Sequence, residues 1–216
     1  MLFRSARAIL AGGREFVRAE SRQRERLANE VRTLLPEAFP ADEIAAHFER
    51  MPQRYFLLRE ARAIAADLEL AHRFIERALA GDEDPLEPVA HWQHDRDRGY
   101  SVVRIATWDR GGLFSRFCGA LTAAGLNVLS AEVFTRDDSI VIDTFIVVEA
   151  RHGALAGARE QQRFARHLRE AMQGGPDLRR AIEARRQAPA AGPCAGSDPI
   201  PTRIRFDNES GGLRTV

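Results

Sequence analysis

Residues 109–114, with the sequence Asp-Arg-Gly-Gly-Leu-Phe, have the types and spacing of a small-molecule binding loop. They follow a β-rich segment and precede a helical pattern, so their backbone N–H groups would lie at a helix N-terminus. The helix dipole favours an anionic group at such a position. The pattern is typical of a small-molecule sensor and not of a catalytic centre.

The chemistry of this loop suits a free amino acid. Asp109 could accept a hydrogen bond from an α-ammonium group, the amides of residues 112–114 could hold a carboxylate, and Asn127 could bond a side-chain amide. Two other roles stay open, because Asp109 could simply cap the helix and Asn127 could be a turn residue that tolerates left-handed backbone. The predicted ligand-binding residues are Asp109, Arg110, Gly112, Leu113, Phe114 and Asn127.

Composition limits the partners and the compartment. The 32 basic residues, all of them arginine, balance 31 acidic residues to a net charge of +1, which argues against a dedicated nucleic-acid partner. Cys118 and Cys194 are far apart and follow no metal-ligand spacing, as expected for a reduced, cytoplasmic protein. No apolar run is long enough to span a membrane, so we expect no membrane partner.

Two other kinds of site, for a metal ion and for nucleotide transfer, lack the residues that they need. His91, His94 and Asp95 could together bind a metal ion, but their segment has the composition of a linker and further ligands are lacking. The sequence contains no Gly-Ser followed by paired aspartates that could transfer a nucleotide. We therefore predict no catalytic residues, no metal site and no cofactor in this chain.

The first 90 residues have a helical pattern. Arginine, glutamate, leucine and alanine dominate residues 14–35, Pro40 opens a short helix that continues to Arg50, and a long helix extends from about Arg59 to Ala80. Residues 91–99 are predicted to be a linker. The N-terminal residues could also imitate a transit peptide, but the acid-rich helical pattern that follows favours a helix.

Residues 100–206 have a mixed pattern. The predicted order is a strand to Trp108, a helix at 113–124, strands at 126–135 and 139–149, a helix at 156–172, a short helix that begins at Asp177 and a strand at 202–206. The third of these strands is apolar on both faces, which predicts helices on one side and a partner on the other. The fold class is therefore α+β, with a helical N-terminal arm followed by a ferredoxin-like βαββαβ domain.

These residues resemble a known family. The loop at 109–114, followed by Gly-Leu-Asn-Val at 125–128, is similar to the signature of the ACT domain, a ferredoxin-like amino-acid-sensing module. Residues 131–137 and 142–147 resemble the first ACT domain of the bifunctional uridylyltransferase/uridylyl-removing enzymes. Residues 51–56 and 202–210 resemble the segments that precede and follow that domain, so the match covers most of residues 51–210.

The resemblance implies a regulatory part of a nitrogen-signalling enzyme. In that family a nucleotidyltransferase domain modifies the protein PII, an HD domain reverses the modification, and two ACT domains sense glutamine. The expected boundaries are a helical segment at 1–90 after an HD domain, a linker at 91–99, an ACT domain at 100–206 and the start of a truncated second ACT domain at 207–216. Magnesium would serve only the catalytic domains, which this chain lacks.

One residue departs from the family pattern, and two other functions remain possible. The family usually has proline where Gly111 stands, so this loop would be looser and more costly to order around a ligand. The chain could instead be the ACT module of another amino-acid-controlled enzyme. It could also be a dimerisation module that binds no ligand.

Overall fold

Helices make up the first described part of the protein, from residue 21 to residue 80. The structure is a computed structural model, and it describes residues 21–81, 84, 86–174, 178, 182 and 183. Helix α1 is described over residues 21–34. It is followed by α2 (Ala41–Arg50), α3 (Gln53–Leu58) and α4 (Ala61–Ala80). Helices α2 and α3 begin directly after prolines. Proline suits the start of a helix because the backbone N–H that it lacks would have no acceptor within the helix there.

The part of the chain that follows these helices contains an antiparallel sheet. Its strands are β1 (Val89–Asp95), β2 (Tyr100–Trp108), β3 (Leu126–Thr135) and β4 (Ile140–Glu149), in the order β1-β2-β4-β3. Helix α5 (Leu113–Ala124) connects β2 to β3, and α6 (Ala158–Met172) follows β4. Helix α5 lies between Gly112 and Gly125, whose φ angles of 74° and 92° are conformations that glycine adopts without strain.

The sheet is covered on both faces. On one face Val103, Ile105 and Phe145 pack against α5 and α6, with Phe117 and Phe164 fully buried between the layers. On the opposite face, side chains from β2, β3 and β4 pack against the N-terminal helices in a second core. That core joins helix residues to sheet residues: Tyr55, Ile64, Leu68, Phe74, Ala106, Phe134, Ile140 and Ile142.

This arrangement confirms the α+β class and explains the doubly apolar strand. β4 is the strand that the sequence showed as apolar on both faces, and it lies in the middle of the sheet between β2 and β3. Its second face is covered by the N-terminal helices of the same chain. The expected partner for this face is therefore intramolecular in the described part of the protein.

Residues 91–99 were wrongly predicted to be a linker. Residues 89–95 form the edge strand β1, paired antiparallel with β2 from Val89↔Ala106 to Asp95↔Tyr100, and residues 96–99 form the turn between them. The error has a physical cause, since an edge strand exposes many polar side chains and its pairing with β2 outweighs its weak strand propensity. The strand predicted at 202–206, the segment 207–216 and the N-terminal residues 1–20 lie outside the described residues.

Candidate functional site

The predicted binding loop joins the end of β2 to the start of α5. Trp108 pairs with Ile140, and the Asp109 amide donates to the Ser139 carbonyl at 2.7 Å, which anchors the first loop residue to the turn before β4. Gly112 is the N-cap residue of α5, and no side chain in the described part of the protein caps that helix. Asp109 therefore does not cap α5, and its exposed carboxylate has no partner among the described residues.

Most first-turn amides of α5 are open. The Arg116 amide donates to the Gly112 carbonyl at 3.1 Å, and the Leu113 amide donates to the Arg110 carbonyl at 3.3 Å. The Leu113 amide is thus partly engaged, contrary to the expectation that it is free for a ligand. The amides of Gly112, Phe114 and Ser115 have no acceptor within the described residues. No acidic residue lies in the first turn of α5, so its positive end is uncompensated.

Arg110 and Phe114 shape the borders of the loop. The Arg110 guanidinium donates to the Leu86 carbonyl, so this side chain fastens the loop to the segment before β1. Burial and the nearby Arg116 lower the pKa of Arg110. Phe114 is 48% exposed and stacks on Phe145, with ring centroids 6.0 Å apart. Phe114 can therefore offer an apolar wall beside the open amides.

Asp143 is a residue near the loop that sequence reasoning missed. It lies on β4, beneath α5, and its side chain is almost fully buried, with only 1% of the residue exposed. Burial, opposed by a hydrogen bond from the Phe134 amide and assisted by the charge of Asp109, raises the pKa of Asp143 to about 7. In the part of the chain that the structure describes, its Oδ1 atom has no hydrogen-bond partner. The available signal was an acid in the middle of a strand that is otherwise apolar on both faces.

Asn127 does not belong to this loop. It pairs with Val148 at one end of β4, whereas Trp108, next to the loop, pairs with Ile140 at the other end. Eight residues of extended strand separate those partners, or roughly 27 Å at about 3.4 Å per residue. The topology explains this separation, because a helix that joins two parallel strands returns the chain to the opposite end of the sheet. Asn127 and Asp109 therefore cannot touch one small ligand within this chain.

Comparisons with known proteins identify the domain that carries the loop. Residues 101–166 match the ACT domain family. The chain contains an ACT domain. The matched region begins in β2, at Ser101, and extends into α6, so it includes the binding loop and Asp143.

The relatives are much longer proteins. The bifunctional uridylyltransferase/uridylyl-removing enzyme of Rhodospirillum rubrum is 33% identical over 122 residues, which cover 56% of this chain and 13% of that enzyme. The enzymes of the same description from Ruegeria pomeroyi and Azospirillum brasilense are 26% and 28% identical and cover 91% and 82% of this chain. The chain spans 21% and 18% of their lengths. No solved structure matches the chain significantly. The chain is thus homologous to a regulatory part of these enzymes.

A buried polar group connects the N-terminal helices to the ACT sheet. We call Tyr55, Arg59, Asp67 and Arg104 the Asp67 cluster. The Tyr55 hydroxyl donates to Asp67 Oδ2 at 2.9 Å, and Arg104 Nε lies 3.2 Å from Asp67 Oδ1, an ion-pair distance without hydrogen-bond alignment. Arg59 Nε is 3.8 Å from Asp67, and Arg59 Nη2 donates to Thr144 Oγ1 at 2.7 Å. The cluster therefore ties α3 and α4 to β2 and β4.

The charge states in this cluster follow from burial. Burial raises the pKa of Asp67, and the guanidinium groups of Arg59 and Arg104 oppose it. His47 lies 3.1 Å from the Tyr55 hydroxyl, and burial together with Arg136 lowers the pKa of His47 to about 3. Because Tyr55 donates to Asp67, His47 Nε2 must carry the proton that it gives to Tyr55. His47 is therefore a neutral donor at physiological pH.

The residues that the sequence suggested for a metal site, and the cysteine of α5, lie outside the loop and the Asp67 cluster. His91, His94 and Asp95 lie on β1, where His94 Nδ1 is 2.8 Å from the Ser101 hydroxyl. The described residues contain no group of three or more histidine, cysteine, aspartate or glutamate side chains that could hold a metal ion. Cys118 is a half-buried free thiol whose pKa is raised by burial. No helix in the described part is long and apolar enough to cross a membrane.

Proposed function

We propose that the ACT domain senses glutamine, and that it does so at the loop between β2 and α5. The observation that carries this proposal is the uncapped N-terminus of α5 beside the unpaired carboxylate of Asp109. A free amino acid carries one negative and one positive group a few ångströms apart. The loop offers a complementary pair, with open amides for the carboxylate and Asp109 for the ammonium.

The surroundings favour a ligand of this size. The amides of Gly112, Phe114 and Ser115 lie in one helical turn, and the exposed face of Phe114 borders them. Asp143 is near enough to Asp109 for that charge to contribute to its raised pKa, so the two carboxyl groups together favour a cationic group at this end of the sheet. Because Asn127 is at the opposite end of the sheet, recognition of the ligand's side-chain amide would have to come from other groups.

The fold also offers a route for the signal. Strand β2 ends at the loop. On the face of β2 that the N-terminal helices cover, Arg104 joins these helices through the Asp67 cluster. We propose that glutamine favours one arrangement of the sheet and these helices, and so biases a two-state equilibrium. The relatives are named for both adding and removing uridylyl groups, and a regulator that selects between opposed activities suits such a protein.

The wider assignment rests on the same relatives. We propose that this chain is the regulatory part of a protein that modifies PII in nitrogen-status signalling. Its partners would be glutamine or another small amino acid, a second ACT domain, and catalytic domains that use magnesium. The chain itself would need no cofactor. The helices that contact the sheet would connect the sensor to those catalytic domains.

Calorimetric titration with glutamine, with glutamate as control, tests the sensor directly. We expect saturable binding that prefers glutamine. Asp109→Ala should weaken it by about 10- to 100-fold, the value of one lost charge-assisted hydrogen bond. Asp97→Ala removes an exposed aspartate from the β1–β2 turn and should leave the affinity unchanged. Equal affinities for both variants would exclude the loop as the binding site.

One observation favours a second function, a dimerisation module that binds no ligand. Among the described strands, none pairs with the outer edge of β3, and its side chains form an exposed apolar strip that includes Leu129, which is 60% exposed, together with Val128 and Val133. Exposed edge strands of this kind readily pair with a second chain. Light scattering would distinguish the functions, since a dimer whose stability does not change with any amino acid would support the second.

A further inference from the structure

A basic groove lies at the end of the ACT domain opposite the Asp109 loop. It has a volume of about 730 Å³ and is bordered by α6 and by the segment that connects β4 to α6. Glu149, at the edge of this groove, pairs with Leu126, whereas the loop adjoins the pair Trp108↔Ile140 at the far end of the same strand. Its basic lining residues are Arg151, His152, Arg159, Arg163, Arg166 and His167.

The arginines of the groove share a direction. Arg159, Arg163 and Arg166 are spaced by four and three residues along α6, so they project from one face of the helix. Arg151 comes from the connection after β4. Within the described residues, Arg151, Arg159 and Arg163 have no acidic partner, and Arg166 has only Glu170 at 3.9 Å. Three guanidinium groups are therefore free to bind an anion.

The two acids of the groove are already engaged by the backbone. The Glu149 carboxylate accepts the amides of Arg151 at 2.9 Å and His152 at 2.7 Å, and these bonds outweigh burial to lower the pKa of Glu149. Glu160 Oε2 accepts the Gly157 amide at 3.2 Å at the start of α6. Both carboxylates thus stabilise local turns. With four arginines and two glutamates, the groove keeps a surplus of positive charge.

We propose that this groove binds the polyphosphate group of a small molecule. Arginine guanidinium groups match phosphate oxygens with paired hydrogen bonds, and arginines one helical turn apart are spaced for neighbouring phosphates. The volume is within the range of small-ligand sites, which is about 300–1,000 Å³. Among the described lining residues, the apolar side chains are Ala123 and Ala154, and the rings are the imidazoles of His152 and His167. Since this lining contains no phenylalanine, tyrosine or tryptophan on which a base could stack, recognition is directed at the phosphates.

This inference goes beyond amino-acid sensing and uses different residues. The test is calorimetric titration of the full chain with tripolyphosphate at constant ionic strength. We expect one saturable site whose affinity falls as salt is added. The double variant Arg159→Gln/Arg163→Gln should weaken binding by at least about tenfold, because a hydrogen bond between charged groups contributes that much to an equilibrium constant.

A matched control separates a site from a general charge effect. Arg62→Gln/Arg96→Gln removes the same charge from exposed arginines on α4 and in the β1–β2 turn. It should leave the tripolyphosphate affinity unchanged. If both double variants lose affinity equally, or if the unaltered chain gives no saturable heat, the proposal is overturned.

Two further sets of titrations define which ligand group the groove recognises. Tripolyphosphate and a nucleoside triphosphate should bind with similar affinity, and sulfate should bind far more weakly. Binding of the nucleoside triphosphate alone would overturn recognition through phosphates. Glutamine titration of Arg159→Gln/Arg163→Gln should match that of the unaltered chain. Failure of the sensor proposal and failure of the groove proposal are therefore distinguishable.

Discussion

Asp143 should make the protein less stable as the pH rises. Its pKa is raised from 3.8 to about 7 in the folded protein, because burial disfavours the charged carboxylate. Between these values the folded state binds more protons than the unfolded state, so the free energy of unfolding falls with increasing pH. The loss begins near pH 4 and is complete above about pH 7. An aspartate stabilised by an ion pair has the opposite pH dependence, because its contribution to the free energy of unfolding grows as the pH rises.

The magnitude follows from the two pKa values. A shift of this size corresponds to about 4 kcal/mol once the carboxyl is ionised in both states, and about 3 kcal/mol of it should develop between pH 5 and pH 8. Asp143→Asn keeps the acceptor that faces the Phe134 amide but cannot ionise. The variant should therefore lose about 3 kcal/mol less stability than the unaltered protein over this pH range.

Urea unfolding at pH 5 and pH 8 measures the effect. The free energies of unfolding of the unaltered protein, Asp143→Asn and the exposed-site control Asp97→Asn are compared at each pH. All other titrating groups are shared, so the difference between Asp143→Asn and the unaltered protein isolates this carboxyl. If Asp143→Asn keeps the same pH dependence as Asp97→Asn, then Asp143 is not held in a low-dielectric environment and the reasoning is refuted.

Two further predictions concern the Asp67 cluster and the loop glycines. Asp67→Ala should destabilise the protein by about 3–5 kcal/mol, because Arg104 would stay buried without its acidic partner, while Arg59 would keep its ion pair with Glu132 at 3.1 Å. Glu69→Ala, at an exposed site on the same helix, should change the urea midpoint little, and similar losses in both variants would contradict the ion-pair argument. Gly112→Ala should cost about 1–2 kcal/mol, since Gly112 has a φ of 74°. Gly111→Ala should leave the thermal unfolding midpoint unchanged or raise it, because no atom lies within 4 Å of the added carbon. A larger loss of stability in Gly111→Ala than in Gly112→Ala would contradict this argument.

Periodicity alone was sufficient for the elements that have one strong pattern. The bounds of α5 and β3 agree with the prediction, because each has glycine or a turn at its borders and a regular apolar face. The edge strand β1 was missed for the opposite reason. Its half-buried, polar residues become a strand only through their pairing with β2, and no local pattern encodes that partner.

The residues of the candidate site also differ in whether a local sequence pattern reveals them. The loop at 109–114 was visible in the sequence, because glycines after a strand and before a helix are a local signal. The Asp67 cluster was not, since Tyr55, Asp67 and Arg104 meet only when the helices dock on the sheet. Asn127 lies at the start of β3, as predicted, and its distance from Asp109 follows from the strand-helix-strand order, while its contact with a ligand stays a prediction.

The position of β1 affects where this protein can be divided. A boundary drawn at Tyr100, where the ACT pattern begins, would remove the strand that pairs with β2 along its length. It would also separate the sheet from the helices that cover its second face. The smallest unit that evolution could transplant intact therefore begins upstream, within the helical segment. Gene fusions that add this ACT domain to a new enzyme would have to carry those helices with it.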